Sequence, residues 1–219
     1  MKRTTLILIL LTSTVLSYGI KPTRTYSNTP SKMELEHEVL SIETKDGISL
    51  NVWHLPSADP GTPIIISQSD AGNMGDWLFL GLYLQAYGLD VWMYDYRGFG
   101  ESEDFPIVQN QLFHLEFADD LTAVCEYVYS TTGQAPVLMG VSMGSIIVNE
   151  YLRKSDVPVS HLVFDGYVAE KDQYSTEADI PKGNADMQQV KLIDCEHILG
   201  FFKYPIEYTE SISAFLNNN

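Results

Sequence analysis

A Gly-Val-Ser-Met-Gly segment at residues 140–144 constrains the possible folds of this chain more than any other feature. It follows the apolar run 135–139, which predicts a buried strand, and it precedes residues 145–152, which predict a helix. A Gly-x-Ser-x-Gly turn between such elements strains the serine backbone and exposes its hydroxyl above the sheet. The flanking glycines are needed because side chains there would collide across so sharp a turn. Ser142 is therefore the candidate nucleophile.

The remaining pattern predicts strands that alternate with helices behind an antiparallel hairpin. The hairpin joins residues 34–43 to residues 48–55 through Thr44-Lys45-Asp46-Gly47, a typical turn sequence. Further buried strands are predicted at 63–67, 91–95, 159–164 and 190–193, and further helices at 77–87, 113–128 and 206–216. This order implies an α/β fold with a doubly wound, mostly parallel sheet.

The N-terminal region predicts export from the cytoplasm. Lys2-Arg3, an apolar run at residues 6–11 and an end near Ser17-Tyr18-Gly19 indicate a secretory signal peptide over residues 1–19. The location would then be secreted or periplasmic. An uncleaved membrane anchor is the alternative, although the apolar run is short for a spanning helix. Residues 20–33, rich in Ser, Thr, Pro and Lys, predict a linker, and residues 34–219 predict a single domain.

The composition argues against nucleic acid and metals as partners. The net charge is −16, and it becomes −18 without Lys2 and Arg3, so phosphate backbones and anionic lipids would repel the chain. Membrane contact is expected only through the N-terminal segment. Cys125 falls in a helical pattern and Cys195 in a strand, which favours two buried thiols over a disulfide. Neither belongs to a metal-ligand spacing, and no cofactor is expected.

A serine hydroxyl is a weak nucleophile until a base accepts its proton. Four of the five histidines lie in the hairpin, near a helix start or at a strand start, where structural or exposed roles are expected: His37, His54, His114 and His161. His197 follows the last predicted strand, at the carboxyl edge where sites of open α/β sheets gather. His197 is therefore the candidate base, and an exposed loop histidine is the alternative.

Three segments carry a resemblance to a known family. They are Asp70-Ala71-Gly72-Asn73-Met74, Asp95-Tyr96-Arg97-Gly98-Phe99-Gly100-Glu101-Ser102 and the turn at 140–144. Together they resemble the alpha/beta-hydrolase superfamily, above all its serine aminopeptidase-like and membrane-anchored acylhydrolase branch. The resemblance covers residues 35–165 well and the C-terminal quarter loosely. It implies the chain order serine, acid, histidine, which agrees with Ser142 and His197.

Two backbone N–H groups must face the oxyanion that forms during acyl transfer. The resemblance implies that they belong to Met143, directly after the nucleophile, and to Asp70. The chain has Gln68-Ser69-Asp70 where that branch has His-Gly-Asn. A carboxylate near a forming oxyanion is unfavourable unless it points away or is paired, so the efficiency of the site is open. For Asp95 and Arg97 we expect a structural turn, with Arg97 bonded to carboxylate or backbone groups.

The triad acid has two candidates because the C-terminal part of the chain is short. A strand directly after Asp165 could not pair in parallel with the strand before it, since a parallel connection needs a dozen or more residues. The family's seventh strand is therefore predicted to be missing or vestigial, with residues 190–194 closer to the sixth. Asp172, which lies 25 residues before His197 in a family-like Glu-Lys-Asp segment, is the first candidate. Asp165 is the second, and a triad without a proper acid is the remaining alternative.

These residues predict a serine hydrolase that cleaves an ester or related acyl bond through an acyl-Ser142 intermediate. The net negative charge and the absence of a predicted cap domain favour a neutral substrate with a short to medium acyl chain in an open site. The family that the chain resembles also contains peptidases, thioesterases and lipid hydrolases, and the sequence does not separate these activities. The alternative is a hydrolase-fold binding protein with little turnover, which the altered oxyanion segment favours.

Overall fold

The computed structural model describes most of the chain from residue 19 onward. The described ranges are 19–58, 61–166, 168–169, 173–174, 189–193 and 198–217. Residues 1–18 of the predicted signal peptide, Asp172, Cys195 and His197 lie outside them. Within these ranges, no helix combines the length and the apolar character that crossing a membrane requires.

The described residues form strands and helices where the apolar pattern predicts them, with ends shifted by a few residues. The strands are β1 (Lys21–Pro22), β2 (Glu38–Glu43), β3 (Ser49–Leu55), β4 (Pro63–Ser67), β5 (Ala71–Gly72), β6 (Asp90–Tyr94), β7 (Val137–Val141), β8 (His161–Asp165), β9 (Val168–Ala169), β10 (Gln173–Tyr174) and β11 (Gln189–Ile193). The α-helices are α1 (Leu78–Ala86), α2 (Glu116–Thr132), α3 (Met143–Lys154), α4 (Gly200–Lys203) and α5 (Pro205–Asn217). Two 3₁₀ helices cover Ser31–Met33 and Met74–Trp77.

Seven strands form the central sheet, in the order β11, β8, β7, β4, β6, β3, β2. Neighbours from β11 to β6 pair in parallel, whereas β3 pairs antiparallel with β6 and with β2. The predicted doubly wound sheet with an antiparallel hairpin at one edge is therefore confirmed. Its parallel strands end at one edge, which is the edge where β7 passes into α3.

Helices cover both faces of the sheet, which explains why the central strands are apolar along their whole length. Successive strand residues face opposite sides, so Ile64 and Ile66 pack toward α1 and α5, whereas Ile65 packs toward α2 and α3. All three isoleucines are buried. Cys125, on α2, is a buried free thiol as predicted, and burial raises the pKa of that thiol.

In the late part of the sheet, no described strand lies between β8 and β11, which agrees with the prediction that residues 190–194 lie close to the sixth strand of the family. β11 pairs directly with β8 in parallel, with Ile193 opposite Asp165. β9 and β10 instead form a separate antiparallel pair, which puts Gln173 opposite Ala169. β11 therefore lies directly beside β8, and the two strands end next to each other at Ile193 and Asp165.

The segment after residue 19 differs from the predicted linker. β1 pairs in parallel with β5, and Ile20 and Tyr26 are buried in the domain. The polar sequence of this segment shows no periodicity that would predict a strand. Hydrogen bonds to other loops hold the segment in place, for example the bond from Lys21 N–H to Asp70 O at 2.8 Å. Residues 20–26 are called the N-terminal strap below.

Arg97 joins the hairpin to the helical layer, which confirms its structural role. Its Nε donates to Asp120 Oδ1 at 2.8 Å, and its two Nη groups donate to Asp46 at 2.6 and 3.0 Å. Arg97 and Asp120 are buried, while Asp46 lies in the turn between β2 and β3. The hydrogen bond from Arg97 lowers the pKa of Asp46 to about 2.

Replacing Arg97 should therefore lower the stability of the protein. Arg97→Met keeps an apolar stem but leaves the Asp120 carboxylate buried without its cation, so we expect a loss of about 3–5 kcal/mol in the free energy of unfolding. Urea denaturation measures it. Lys45→Ala, which removes an exposed ion pair with Glu126 beside the same turn, should cost less than about 1 kcal/mol. Equal losses in the two variants would contradict the structural role.

Candidate functional site

Ser142 occupies a sharp turn between β7 and α3. Its backbone has φ 50° and ψ −114°, a left-handed conformation that is costly for a residue with a side chain. Two sets of hydrogen bonds hold it: its N–H donates to Asp165 O at 2.9 Å, and its carbonyl accepts from Ser145 N–H at 2.9 Å and Ser145 Oγ at 2.6 Å. The predicted strained turn is confirmed.

Both flanking glycines are required by close backbone contacts. A Cβ on Gly144 would overlap the carbonyl oxygen of Ser67, at the end of β4. A Cβ on Gly140 would lie 2.8 Å from the Cα of Ser145. The sequence therefore permits α3 to start directly against the end of β4, which brings the chain after Ser67 beside the first turn of α3.

Residues 68–73 follow β4 at this point, and they are called the oxyanion loop below after the role that the sequence resemblance implies for Asp70. Gln68 and Ser69 are buried, whereas Asp70 is half-buried. The Asp70 carbonyl accepts from Lys21 N–H of the strap, so this peptide group is fixed. Gln68 Nε2 donates to Asp95 Oδ1 at 3.2 Å, and Gln68 Oε1 is buried without a hydrogen-bond partner among the described residues.

Asp95 lies behind the oxyanion loop and is fully buried at the end of β6. Its carboxylate accepts from Gln68 Nε2, from Met74 N–H at 2.8 Å and from the hydroxyl of Tyr26. Burial raises the pKa of Asp95 to about 6, against the opposing effect of these hydrogen bonds. Asp95 is thus a support of the loop, as the structural interpretation of this segment predicts. Sequence reasoning missed Tyr26, which no periodic pattern marks.

Asp165 is the candidate acid that the described residues include. It is fully buried at the end of β8, and its Oδ2 accepts from Tyr208 of α5 at 2.8 Å. Its carbonyl accepts from the Ser142 N–H, so the two residues are neighbours at the ends of the adjacent strands β8 and β7. Asp172 and His197 lie outside the described residues. On either side of His197, Ile193 lies opposite Asp165 and Ile198 packs on the apolar core under α1 and α5.

The other four histidines have contacts that give them structural or surface roles. His54 stacks on Trp92 with ring centroids 3.9 Å apart and bonds Asp90 at 2.8 Å. His114 accepts a hydrogen bond from the Val108 N–H, and His37 bonds the Leu35 carbonyl. The ring of His161 packs on Phe215. Within the described ranges, no three His, Cys, Asp or Glu side chains gather as metal ligands would.

The sheet order and the strained serine turn beside the oxyanion loop define the alpha/beta-hydrolase fold. Esterase Pf2001 of Pyrococcus furiosus has the same fold, with a TM-score of 0.69 and 15% identity over 90% of this chain and 98% of that one. The chain belongs to the serine aminopeptidase S33 family, whose model matches residues 73–188, more than half of the sequence. The family predicted from the sequence motifs is therefore confirmed.

Sequence relatives cover only part of this chain. The uncharacterized protein YfhR of Salmonella typhimurium is 33% identical over 130 residues, which are 55% of this chain and 41% of that protein. The alpha/beta hydrolase domain-containing protein WAV2 of Arabidopsis thaliana is 25% identical over 148 residues, which are 65% of this chain and 46% of that protein. The chain thus spans less than half the length of these relatives.

Gly144→Ala should destabilise the protein because its methyl group would meet backbone atoms of Ser67, which cannot move aside as a side chain can. We expect a loss of about 3 kcal/mol or more in the free energy of unfolding. Gly133→Ala is the matched control, since Gly133 has φ +70° at the end of α2 and open space around it. That control should cost about 1–2 kcal/mol from its backbone alone. Urea denaturation of both variants measures the difference, and similar losses would rule out the close approach.

Proposed function

We propose that this protein is a serine hydrolase that cleaves a carboxylic ester through an acyl-Ser142 intermediate. The observation that carries this proposal is the strained turn at Ser142, held between β7 and α3 against the end of β4. Strained serine conformations of this kind serve to present the hydroxyl to a substrate above the sheet. The esterase Pf2001, which has the same fold, supports an ester as the substrate class.

The oxyanion of the tetrahedral intermediate would be bound by the Met143 and Asp70 N–H groups. Met143 is the first residue of α3, so its N–H belongs to a helix start, where the helix dipole favours negative charge. Asp70 follows the buried backbone of Ser67 and Gln68, which contacts the same turn of the helix. Two such donors stabilise the charge that develops on the substrate carbonyl.

In the first half-reaction, Ser142 Oγ attacks the ester carbonyl while His197 takes the hydroxyl proton. Collapse of the tetrahedral intermediate breaks the bond to the alcohol, which leaves with that proton. In the second half-reaction, His197 removes a proton from water, the hydroxide attacks the acyl-enzyme, and Ser142 Oγ leaves with the proton. The products are one carboxylic acid and one alcohol, and no cofactor is consumed.

Asp165 is the acid that the described geometry favours. Asp165 is fully buried, its carbonyl accepts from the Ser142 N–H, and its Oδ2 accepts from Tyr208. β11 runs parallel to β8 up to Ile193, opposite Asp165, and His197 is four residues further along. Four residues span at most about 14 Å, so the length of the chain would allow His197 to reach the same sheet edge. A buried carboxylate there would hold the imidazole in its productive tautomer.

Ser142→Ala should abolish labelling by a fluorophosphonate probe and lower hydrolysis of a p-nitrophenyl ester by several orders of magnitude, because the acyl-enzyme forms on the Ser142 oxygen. Ser130→Ala, at an exposed serine of α2, is the control and should label like the unaltered protein. Persistent labelling of Ser142→Ala would place the nucleophile elsewhere. Failure of the unaltered protein to label would instead favour the low-turnover binding protein.

Asp165→Asn should lower kcat by roughly 10⁴-fold, since an asparagine cannot fix the tautomer or stabilise the imidazolium. Asp172→Asn is the matched comparison and should change kcat by less than tenfold. Steady-state ester hydrolysis, with labelling stoichiometry to count folded sites, measures both. The reverse pattern would make Asp172 the acid, and two small effects would mean that His197 works without either.

A further inference from the structure

The hydroxyl of Tyr26 lies at a junction of four chain segments. It donates to Asp95 Oδ2, and it accepts from Asn51 Nδ2 at 2.7 Å and from Glu101 N–H at 3.0 Å. One donated and two accepted bonds satisfy a phenol completely. The ring is buried and packs on Trp53 with centroids 4.8 Å apart. Burial raises the pKa of Tyr26, so the hydroxyl keeps its proton for Asp95.

Asp95 connects Tyr26 to the oxyanion loop. Its other oxygen, Oδ1, accepts from Gln68 Nε2 at 3.2 Å and from Met74 N–H at 2.8 Å. Gln68 is the first residue of the loop, and Met74 directly follows its last residue. Asp95 therefore bonds the chain on both sides of Asp70, the proposed oxyanion donor.

The strap bonds the same loop from its other side. Lys21 N–H donates to Asp70 O at 2.8 Å, and Thr23 N–H donates to Gly72 O at 2.9 Å. In return, Asn73 Nδ2 donates to Thr23 Oγ1 at 2.8 Å. Tyr26 is the last residue of the strap. Its hydrogen bond to Asp95 therefore anchors the segment whose Lys21 N–H binds the Asp70 carbonyl.

We propose that Tyr26, acting through Asp95, is a positioning residue that holds the oxyanion loop in its catalytic geometry. This inference rests on the proposed function, because it concerns the loop of that same site. Oxyanion stabilisation depends on donors that are held within about 0.5 Å of the positions from which they bond the developing charge. Losing the hydroxyl removes one of the donors to the buried Asp95 carboxylate, so the carboxylate shifts and moves its other partners, Gln68 and Met74.

Tyr26→Phe should lower kcat about 10–100-fold. This is the size of effect expected when a catalytic donor is displaced by up to about 1 Å. KM should change less than about twofold, because the oxyanion forms only in the transition state. The endpoint of fluorophosphonate labelling should stay at that of the unaltered protein, which shows that every molecule still holds a folded site. Tyr87→Phe, whose hydroxyl contacts Glu210 on the surface, is the matched control and should leave kcat and KM unchanged.

Asp95→Asn should reproduce the kcat loss, and adding Tyr26→Phe to it should lower kcat little further, because both changes act on one contact. Additive losses would overturn action through Asp95. An unchanged kcat in Tyr26→Phe, or a kcat loss matched by an equal loss of labelling endpoint, would overturn the positioning role.

Hydrogen exchange separates this inference from the proposed function. In Ser142→Ala, which has no nucleophile, adding Tyr26→Phe should speed amide exchange in residues 68–74, and adding Tyr87→Phe should not. Unchanged exchange there would overturn the inference even if the protein is an active hydrolase. Faster exchange supports the contact between strap and loop even if the unaltered protein fails to label, a result that would count against the proposed function alone.

Discussion

The close approach of α3 to the end of β4 is the contact on which the site depends. Without a Cβ on Gly144, the first turn of the helix packs directly on the Ser67 carbonyl. This contact forces the chain between β7 and α3 through the left-handed conformation of Ser142, and it places the oxyanion loop next to the helix start. The proposed nucleophile and the two proposed N–H donors therefore come from one packing contact between neighbouring parallel strands. A shift of β4 relative to β7 would separate them.

The buried carboxylate of Asp95 is the second fixed point, and it explains a motif whose polar residues suggest catalysis. Gly100 packs directly on Asp95 and Tyr26, so a side chain there would displace both. Ser102 Oγ donates to the Asp95 carbonyl at 2.7 Å and accepts from Asn51 N–H at 2.9 Å. An isolated carboxylate would be costly at such a depth, and it is tolerated because each oxygen receives donors. The Asp-Tyr-Arg-Gly-x-Gly-x-Ser segment thus builds the support behind the site and not the site itself.

The sequence predicted the sheet and the serine turn well, because both leave periodic or steric signals. Continuous apolar runs mark strands buried on both faces, and glycines at fixed spacing mark the sharp turn at Ser142. The strap left no such signal. Its only buried apolar side chains are Ile20 and Tyr26 among the described residues of that segment, and its order comes from hydrogen bonds to loops about fifty residues away. Bonds of that kind depend on where the fold brings backbone groups together, which composition does not encode.

The proposed position of the acid depends on the direct pairing of β11 with β8. In a parallel sheet, a catalytic carboxylate must lie at the carboxyl edge, close enough to the nucleophile for one imidazole to touch both. With β11 directly beside β8, no described strand stands between Asp165 and the segment that leads to His197. Asp165 already adjoins Ser142 through the backbone, and Tyr208 holds one of its oxygens. A shortened sheet can therefore place the acid at the end of β8 without moving the serine, since the contact between α3 and β4 does not involve the strands beyond β8.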